Sequence, residues 1–368
     1  MDEFINSNRE IRWGDYYFRN HVIPDNFDYR VHKKELSEYF RKLGFSVSMM
    51  YDDYFSRFNG IHSDRYMSMD FYYFYVLPCL NKYEFMLAYT DKNAYSSIFA
   101  GFAQPETVVK NVNGHYYVGD DVVSVDVNVA VQSCLRTGDD CIIKPTVETC
   151  NGDGVALLDA SSRQAVEAQF LKYGVNFIVQ RKVRQHEEMA RLNDSSLNTL
   201  RISTYRGHDG VVHYLEGKTF LRFGGKGTVK DNISSGGWAA SVDEHGCISQ
   251  RLYRFKSMHM GAINEDLNMQ QFIVPSFARA TKLACQLHER LPYFDLAGWD
   301  IAINADGSPL FIEFNAQPDI EIPQALSGPF FGPFFDEVIS RVRLVTVAKE
   351  VYSIRRWPNG FDHKLRIS

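Results

Sequence analysis

The clearest alternation of apolar and polar positions in the chain runs from residue 298 to 315, Gly-Trp-Asp-Ile-Ala-Ile-Asn-Ala-Asp-Gly-Ser-Pro-Leu-Phe-Ile-Glu-Phe-Asn. Two bulky apolar runs flank Asp306-Gly307, a pair suited to a two-residue turn with positive φ at both central positions, so the stretch predicts a β-hairpin. With that turn, Asp300 falls opposite Glu313, and Asn315 leaves the same face two residues on. A three-residue turn would shift the register by one and send Asp300 to the other face.

The remaining pattern is a mixture of strands and helices. Residues 1 to about 90 are dense in Tyr and Phe and show little periodicity, apart from a helix predicted over 29–43 on Leu36, Tyr39, Phe40 and Leu43, with Gly44 after its end. Helical spacing returns over 91–99, 162–173 and 275–291, the last with Phe277, Ala280, Leu283, Ala284 and Leu287 on one face. Strands are expected near 101–109, 141–145, 155–158, 176–183, 198–205, 211–215, 218–223 and 238–242. Residues 316–324 read as an irregular loop.

Composition narrows the class without naming a function. A chain of 368 residues with 45% apolar and 23% charged residues has material for two or three lobes and is not a disordered polymer. A net charge of -5 offers no basic field, so no nucleic-acid partner is expected. The cysteines at 79, 134, 141, 150, 247 and 285 lack Cys-x-x-Cys spacing and are expected to be free thiols in a reducing compartment. Met1-Asp-Glu-Phe has no signal-peptide core and the most apolar window, 71–77, is too short to span a bilayer, so a cytoplasmic protein without a transmembrane segment is expected. The eleven histidines form no zinc pattern.

Several positions carry candidate chemistry. Two carboxylates facing each other across a ladder repel, and a bound cation removes the conflict. Asp300, Glu313 and Asn315 would be three oxygen ligands that leave positions for phosphate and water, a magnesium-nucleotide site; the plain alternative is a hairpin whose polar face is simply wet. Lys144, inside an apolar strand, calls for an anion. The following loop, with Gly152 and Gly154, can cover phosphates with backbone N–H groups, although many hairpin loops contain two glycines and bind nothing. The end of the 176–183 strand, where it runs out into polar 184–188, can read the edge of adenine, with Glu187, or its competitor Glu188, accepting from ribose hydroxyls; the plain alternative is a charged connector. Arg201, Lys218 and Arg222 are cations on strands, explained by salt bridges or by a phosphate-facing sheet. Lys92 is a surface lysine by default and a nucleotide contact otherwise.

In this order, Asp91-Lys-Asn, Lys144-Pro, Asn198-Thr-Leu-Arg, Asp231-Asn through Gly236-Gly237, and Gly298-Trp-Asp-Ile-Ala with Glu313-Phe-Asn resemble the sugar-transfer associated branch of the ATP-grasp superfamily over roughly residues 91–331. The resemblance implies an α+β ATP-grasp fold, two lobes with antiparallel sheets clasping ATP, plus the aromatic-rich N-terminal region. The expected divisions are 1–105 for that region, 106–183 for a small lobe with the phosphate loop, 184–345 for a large lobe with the magnesium site, and 346–368 for a tail. Position by position, it implies that Lys92 and Lys144, with Gly152 and Gly154, contact ATP phosphates or the adenine side. Gln180, Arg181, Lys182 and Val183 form the adenine-reading linker, and Glu187 holds the ribose. Arg201 and Arg222 with Lys144 face the transferred phosphoryl group, Asp300, Glu313 and Asn315 bind Mg2+, and Lys218, Asn232, Gly236 and Gly237 face substrate. Gln180 stands where many relatives have Glu, and 147–152 is less rich in Gly and Ser than usual.

The implied activity is an ATP-dependent carboxylate-amine ligase that forms an amide through an acyl phosphate. Its partners would be small-molecule carboxylate and amine substrates, an amino acid and a sugar acid among them, in bacterial polysaccharide, capsule or surface-glycan biosynthesis. A homodimer is allowed. The alternatives are a kinase of a sugar or glycan hydroxyl and a non-catalytic nucleotide-binding module of a glycan assembly complex.

Overall fold

Strand-forming runs between residues 107 and 181 pair with one another before the chain moves on, which produces the first of two antiparallel sheets. A computed structural model describes residues 37–348 apart from 44, 46, 139, 148–153, 225–235 and 255–271. The smaller sheet holds β1 (Thr107–Val112), β2 (His115–Val118), β3 (Cys141–Pro145), β4 (Ala156–Leu157) and β5 (Phe177–Arg181) in the order β2-β1-β5-β3-β4. Its first hairpin turns at Asn113-Gly114, with φ of 51° and 90°, the twist-matched geometry that this dipeptide favours. Helices Val127–Thr137 and Arg163–Tyr173 cover one face through Val109, Ile143, Phe177 and Val179. Lys110, Ile142, Lys144, Ile178 and Gln180 alternate onto the other face.

The larger sheet is built from β6 (Thr199–Arg206), β7 (Val212–Tyr214), β8 (Phe220–Phe223), β9 (Trp238–Val242), β10 (Ile248–Tyr253), β11 (Leu296–Ile303) and β12 (Pro309–Asn315). Its order is β10-β9-β8-β6-β11-β12, with β7 also on β6. The apolar face predicted for the 275–291 segment docks one side of this sheet as helix Phe277–His288, against Leu200, Ile202, Trp299 and Ile301. On the other side, helices Met50–Asn59 and Glu321–Ser327 cover Phe220, Ala239 and Tyr253. The second of these helices begins inside the stretch expected to be an irregular loop. Burying side chains such as Trp299 and Phe311, both fully enclosed, contributes about 2–3 kcal/mol each.

The aromatic N-terminal segment packs as core. Phe40, Phe71, Tyr72 and Phe74 join Phe330, Phe331 and Phe335 in one apolar cluster. The helix expected over 29–43 appears as Glu38–Lys42, capped by Ser37, whose Oγ accepts from Phe40 N–H; residues 29–36 lie outside the described part. Among the described residues, no helix is long and apolar enough to cross a membrane.

Candidate active site

The 298–315 hairpin forms with the expected facing pair, by a different route. Its turn is one residue longer than expected: Ile303 pairs with Pro309, Asn304 N–H donates to Ser308 O at 2.8 Å, and only Gly307 has positive φ, at 79°. Alone, that turn would have sent Asp300 to the wrong face. A bulge in β12 at Ile312 restores the register, so that Asp300 pairs with Glu313, Trp299 with Phe314 and Gly298 with Asn315. Asp300, Glu313 and Asn315 therefore leave one face of the sheet together.

On the same face, β6 places Arg201 directly beside Asp300, and β8 places Arg222 one residue pair away, opposite Thr199. Arg201 grips Asp300 through Nε at 2.5 Å from Oδ1 and Nη2 at 3.2 Å from Oδ2. Arg222 Nη2 lies 2.7 Å from the same Oδ2, held by Thr199 Oγ1 at 2.8 Å. Burial pushes the Asp300 pKa up, but the two guanidiniums outweigh it and hold the carboxyl below its usual range. Glu313 Oε1 sits 2.8 Å from Lys92 Nζ. The repulsion between the facing carboxylates is thus relieved by the protein's own cations.

Lys92 reaches Glu313 because its turn is fastened on two sides. Asp91 caps the 3-10 turn Lys92–Ala94 by accepting from Asn93 N–H. Asn93 Nδ2 donates to Asn111 O on β1, and Lys92 N–H donates to Thr146 O just after β3. On the other side, Tyr95 Oη accepts from Phe314 N–H at 3.2 Å and Phe311 N–H donates to Ala103 O at 3.1 Å, so residues 92–103 close the outer edge of β12. Lys144, 7% exposed, is pushed down to about 8 by burial and then by the charge of Lys92, with Glu313 and Asp300 opposing. The Lys92–Glu313 pair and the Lys92 N–H bond to Thr146 O, two residues past Lys144, gather both lysines and both carboxylates into one electrostatic cluster where the two sheets meet.

The residues suit a hard divalent ion. Asp300, Glu313 and Asn315 supply oxygen donors, the set that magnesium prefers. The Asn315 Nδ2 is buried without a hydrogen-bond partner, and turning the amide over would present its oxygen there instead. Gly298 makes room for this group: a Cβ would meet Pro318 Cβ at 2.9 Å and Asn315 Cβ at 3.4 Å.

Of the other expected site residues, Gly152 and Asn232 lie outside the described part. Gly154 has φ of +77° and would press a Cβ to 2.8 Å from the Pro145 ring, so the return of the loop after Lys144 requires glycine. Gln180 is buried, with Oε1 unpartnered. Arg181 and Lys182 N–H donate to Glu106 O and Asp140 O, whereas Val183 N–H makes no backbone hydrogen bond among the described residues. Glu187 is exposed, and its competitor Glu188 is paired with Arg191 at 2.5 Å. Lys218 Nζ donates to Ser327 O and Gly328 O at the end of helix Glu321–Ser327, and burial pushes its pKa down to about 8, so this ammonium serves as a helix-end contact. Gly236 and Gly237 lead into β9, with φ of 91° at Gly236.

Three participants escaped the sequence reading. Asp319 accepts from Glu321 and Ile322 N–H groups and senses the charge of Arg201, while burial raises its pKa. Glu321 is pushed up to about 8 by burial and by Asp319, with Tyr253 Oη donating to it at 2.6 Å. The Asp-x-Glu spacing after Asn315 was the available signal. Tyr95, which anchors the Lys92 turn, gave none beyond an apolar helical position.

Two antiparallel sheets meeting at a cluster of opposed carboxylates and cations define an ATP-grasp protein. The chain belongs to the sugar-transfer associated ATP-grasp family, whose sequence model matches residues 74–331. Solved structures give remote likenesses. D-cycloserine synthetase DcsG is 17% identical over 70% of this chain and 70% of its own, with a TM-score of 0.38. D-alanine–D-alanine ligase from Bacillus anthracis, complexed with ATP, is 14% identical over 70% and 68%, with a TM-score of 0.37. Biotin carboxylase from Campylobacter jejuni is 12% identical over 72% of this chain and 48% of its own, with a TM-score of 0.44. No curated protein matches in sequence.

Proposed function

We propose that the chain is an ATP-dependent carboxylate-amine ligase acting with Mg2+. The supporting observation is the row Arg222, Arg201, Asp300 and Glu313 on one sheet face, met at its end by Lys92 from the neighbouring turn, with the charge of Lys144 acting on the same cluster. A carboxylate oxygen of the acid attacks the γ-phosphorus of ATP, the bond to the β-γ bridging oxygen breaks, and ADP leaves. The resulting acyl phosphate is attacked by an amine, which loses a proton as inorganic phosphate departs and the amide forms. Arg201 and Arg222 neutralise charge on the transferred phosphoryl group, and Lys144 and Lys92 hold the leaving phosphates. Asp300, Glu313 and Asn315 would hold the metal, which when bound supplies charge neutralisation of the phosphates. The 146–154 loop, with Gly152 and Gly154, keeps water from the acyl phosphate. Val183 N–H and Gln180 read adenine, and Glu187 the ribose; Gly236 and Gly237 border the acceptor, and Lys218, committed to its helix end, shapes that wall.

The family association favours an amino acid joined to a sugar-linked acid or amine in surface-glycan assembly. The test is ADP release from MgATP with amino acids paired against uronic acids, repeated with hydroxylamine. A hydroxamate supports the acyl phosphate. A stable phosphorylated hydroxyl would replace the ligase by a kinase, and nucleotide binding without acceptor-dependent ADP release would leave only a binding module.

A further inference from the structure

The oxygens assigned to the metal are within reach of the protein's own cations: Lys92 Nζ lies 2.8 Å from Glu313 Oε1, and Arg201 and Arg222 lie 2.5 and 2.7 Å from the two oxygens of Asp300. The side chains of Lys92 and Asp300 are 7% and 5% exposed, against 30% for Glu313, so bulk water screens the Asp300 pairs little and reaches the Lys92 pair only from the Glu313 side. Lys92, Arg201 and Arg222 pair with the carboxylates of Glu313 and Asp300, and the charges of Lys144 and the buried Asp319 act on the same cluster. A bare divalent ion entering here must displace Lys92 and remain against uncompensated positive charge. A polyphosphate entering first gives Lys92 and Lys144 a better anion and brings negative charge of its own. Lys92 can change partners because its backbone is pinned through Lys92 N–H to Thr146 O and by the flanking Asn93 and Tyr95, leaving only the flexible side chain to move.

We propose that Lys92 is a stand-in for the metal, occupying Glu313 until nucleotide draws it away, so that the divalent ion binds only together with the nucleotide. This rests on the metal and nucleotide assignments above and adds an obligatory coupling between them. Coupling of this kind is reciprocal: nucleotide raises metal affinity by the factor by which metal raises nucleotide affinity.

The test uses the full chain, Mn2+ as the metal and ADP as the nucleotide, with free Mn2+ followed by its electron paramagnetic resonance signal and ADP binding by calorimetry. In the wild type, ADP binds in EDTA, and Mn2+ binds at least tenfold more tightly with ADP than without it. In Lys92→Met, the affinity for Mn2+ alone rises about tenfold and the enhancement by ADP shrinks correspondingly. Lys92→Arg, which keeps the charge, retains the wild-type coupling, and a circular dichroism melt confirms that each variant is folded. Equal Mn2+ affinity with and without ADP in the wild type overturns the proposal, as does a folded Lys92→Met with unchanged Mn2+ affinity. Absence of ADP binding under every condition would instead remove the nucleotide assignment itself.

Discussion

Replacing Lys144 by Met should make the ligand-free protein more stable and the nucleotide-bound protein less so. A lysine held at about 8 instead of 10.5 carries a penalty of about 3 kcal/mol in the folded state, an upper bound on what the substitution relieves. Methionine keeps most of the buried stem, so little packing is lost. At roughly 2 °C per kcal/mol for a chain of this size, the melting temperature at pH 7 should rise by about 2–5 °C. The sign of the pH dependence follows from the depressed value. Below about pH 8 both folded and unfolded wild type carry the ammonium, and the full penalty applies. Between about 8 and 10.5 the folded lysine is neutral while the unfolded one is still charged, so the penalty fades with rising pH and the advantage of Met disappears. ADP affinity at pH 7 should fall by about 10–100-fold, the worth of one charge-assisted hydrogen bond. Differential scanning calorimetry from pH 6.5 to 10.5, with ADP titrations at pH 7, measures both effects. A variant that melts lower at pH 7 and binds ADP as tightly as the wild type would refute the reasoning.

Three further substitutions probe the surroundings. Glu313→Gln should abolish acceptor-dependent ADP release and, because it removes the carboxylate charge facing the buried Lys92 ammonium, lower the ligand-free stability by about 1–3 kcal/mol in a denaturant titration; facing carboxylates alone would have predicted the opposite sign. Gly154→Ala, which meets both a positive φ and the Pro145 ring, should destabilise the chain by about 1–2 kcal/mol and weaken ADP retention; an unchanged melt and affinity would remove the loop from the site. Glu321, with its pKa raised to about 8, contributes stability below its ordinary pKa of 4.5 that is lost as the pH rises through 8. Glu321→Gln should therefore flatten the fall in melting temperature between pH 5 and 8.5, and an unaltered slope there would count against a neutral Glu321.

The parts of the site that could be read from sequence were those governed by local rules. Strand period and facing positions brought Asp300, Glu313 and Asn315 to one face, and an isolated lysine in the apolar run 141–145 marked Lys144. The hairpin shows how two local features can be misjudged while their product is right: the turn was read one residue too short and the bulge at Ile312 was not anticipated, and the two offsets cancel. The ion pairs of Lys92 and Arg201 could not be read, because each joins residues roughly a hundred or more positions apart in a register that only the assembled sheets define. For the same reason Lys218 looked like a cation for substrate, when helix Glu321–Ser327 ends against it. The Asn113-Gly114 hairpin was a missed local signal and needed no tertiary knowledge.

The turn bearing Lys92 is tied to the smaller sheet through Asn93 and to the outermost strand of the larger one through Tyr95. If the proposed ATP site holds, any rocking of one sheet against the other would pivot a few residues from the bound phosphates, where the lever arm is shortest. Wide swings at the far rim would then reach the backbone of that turn only as small displacements, leaving the change of partner to the lysine side chain alone.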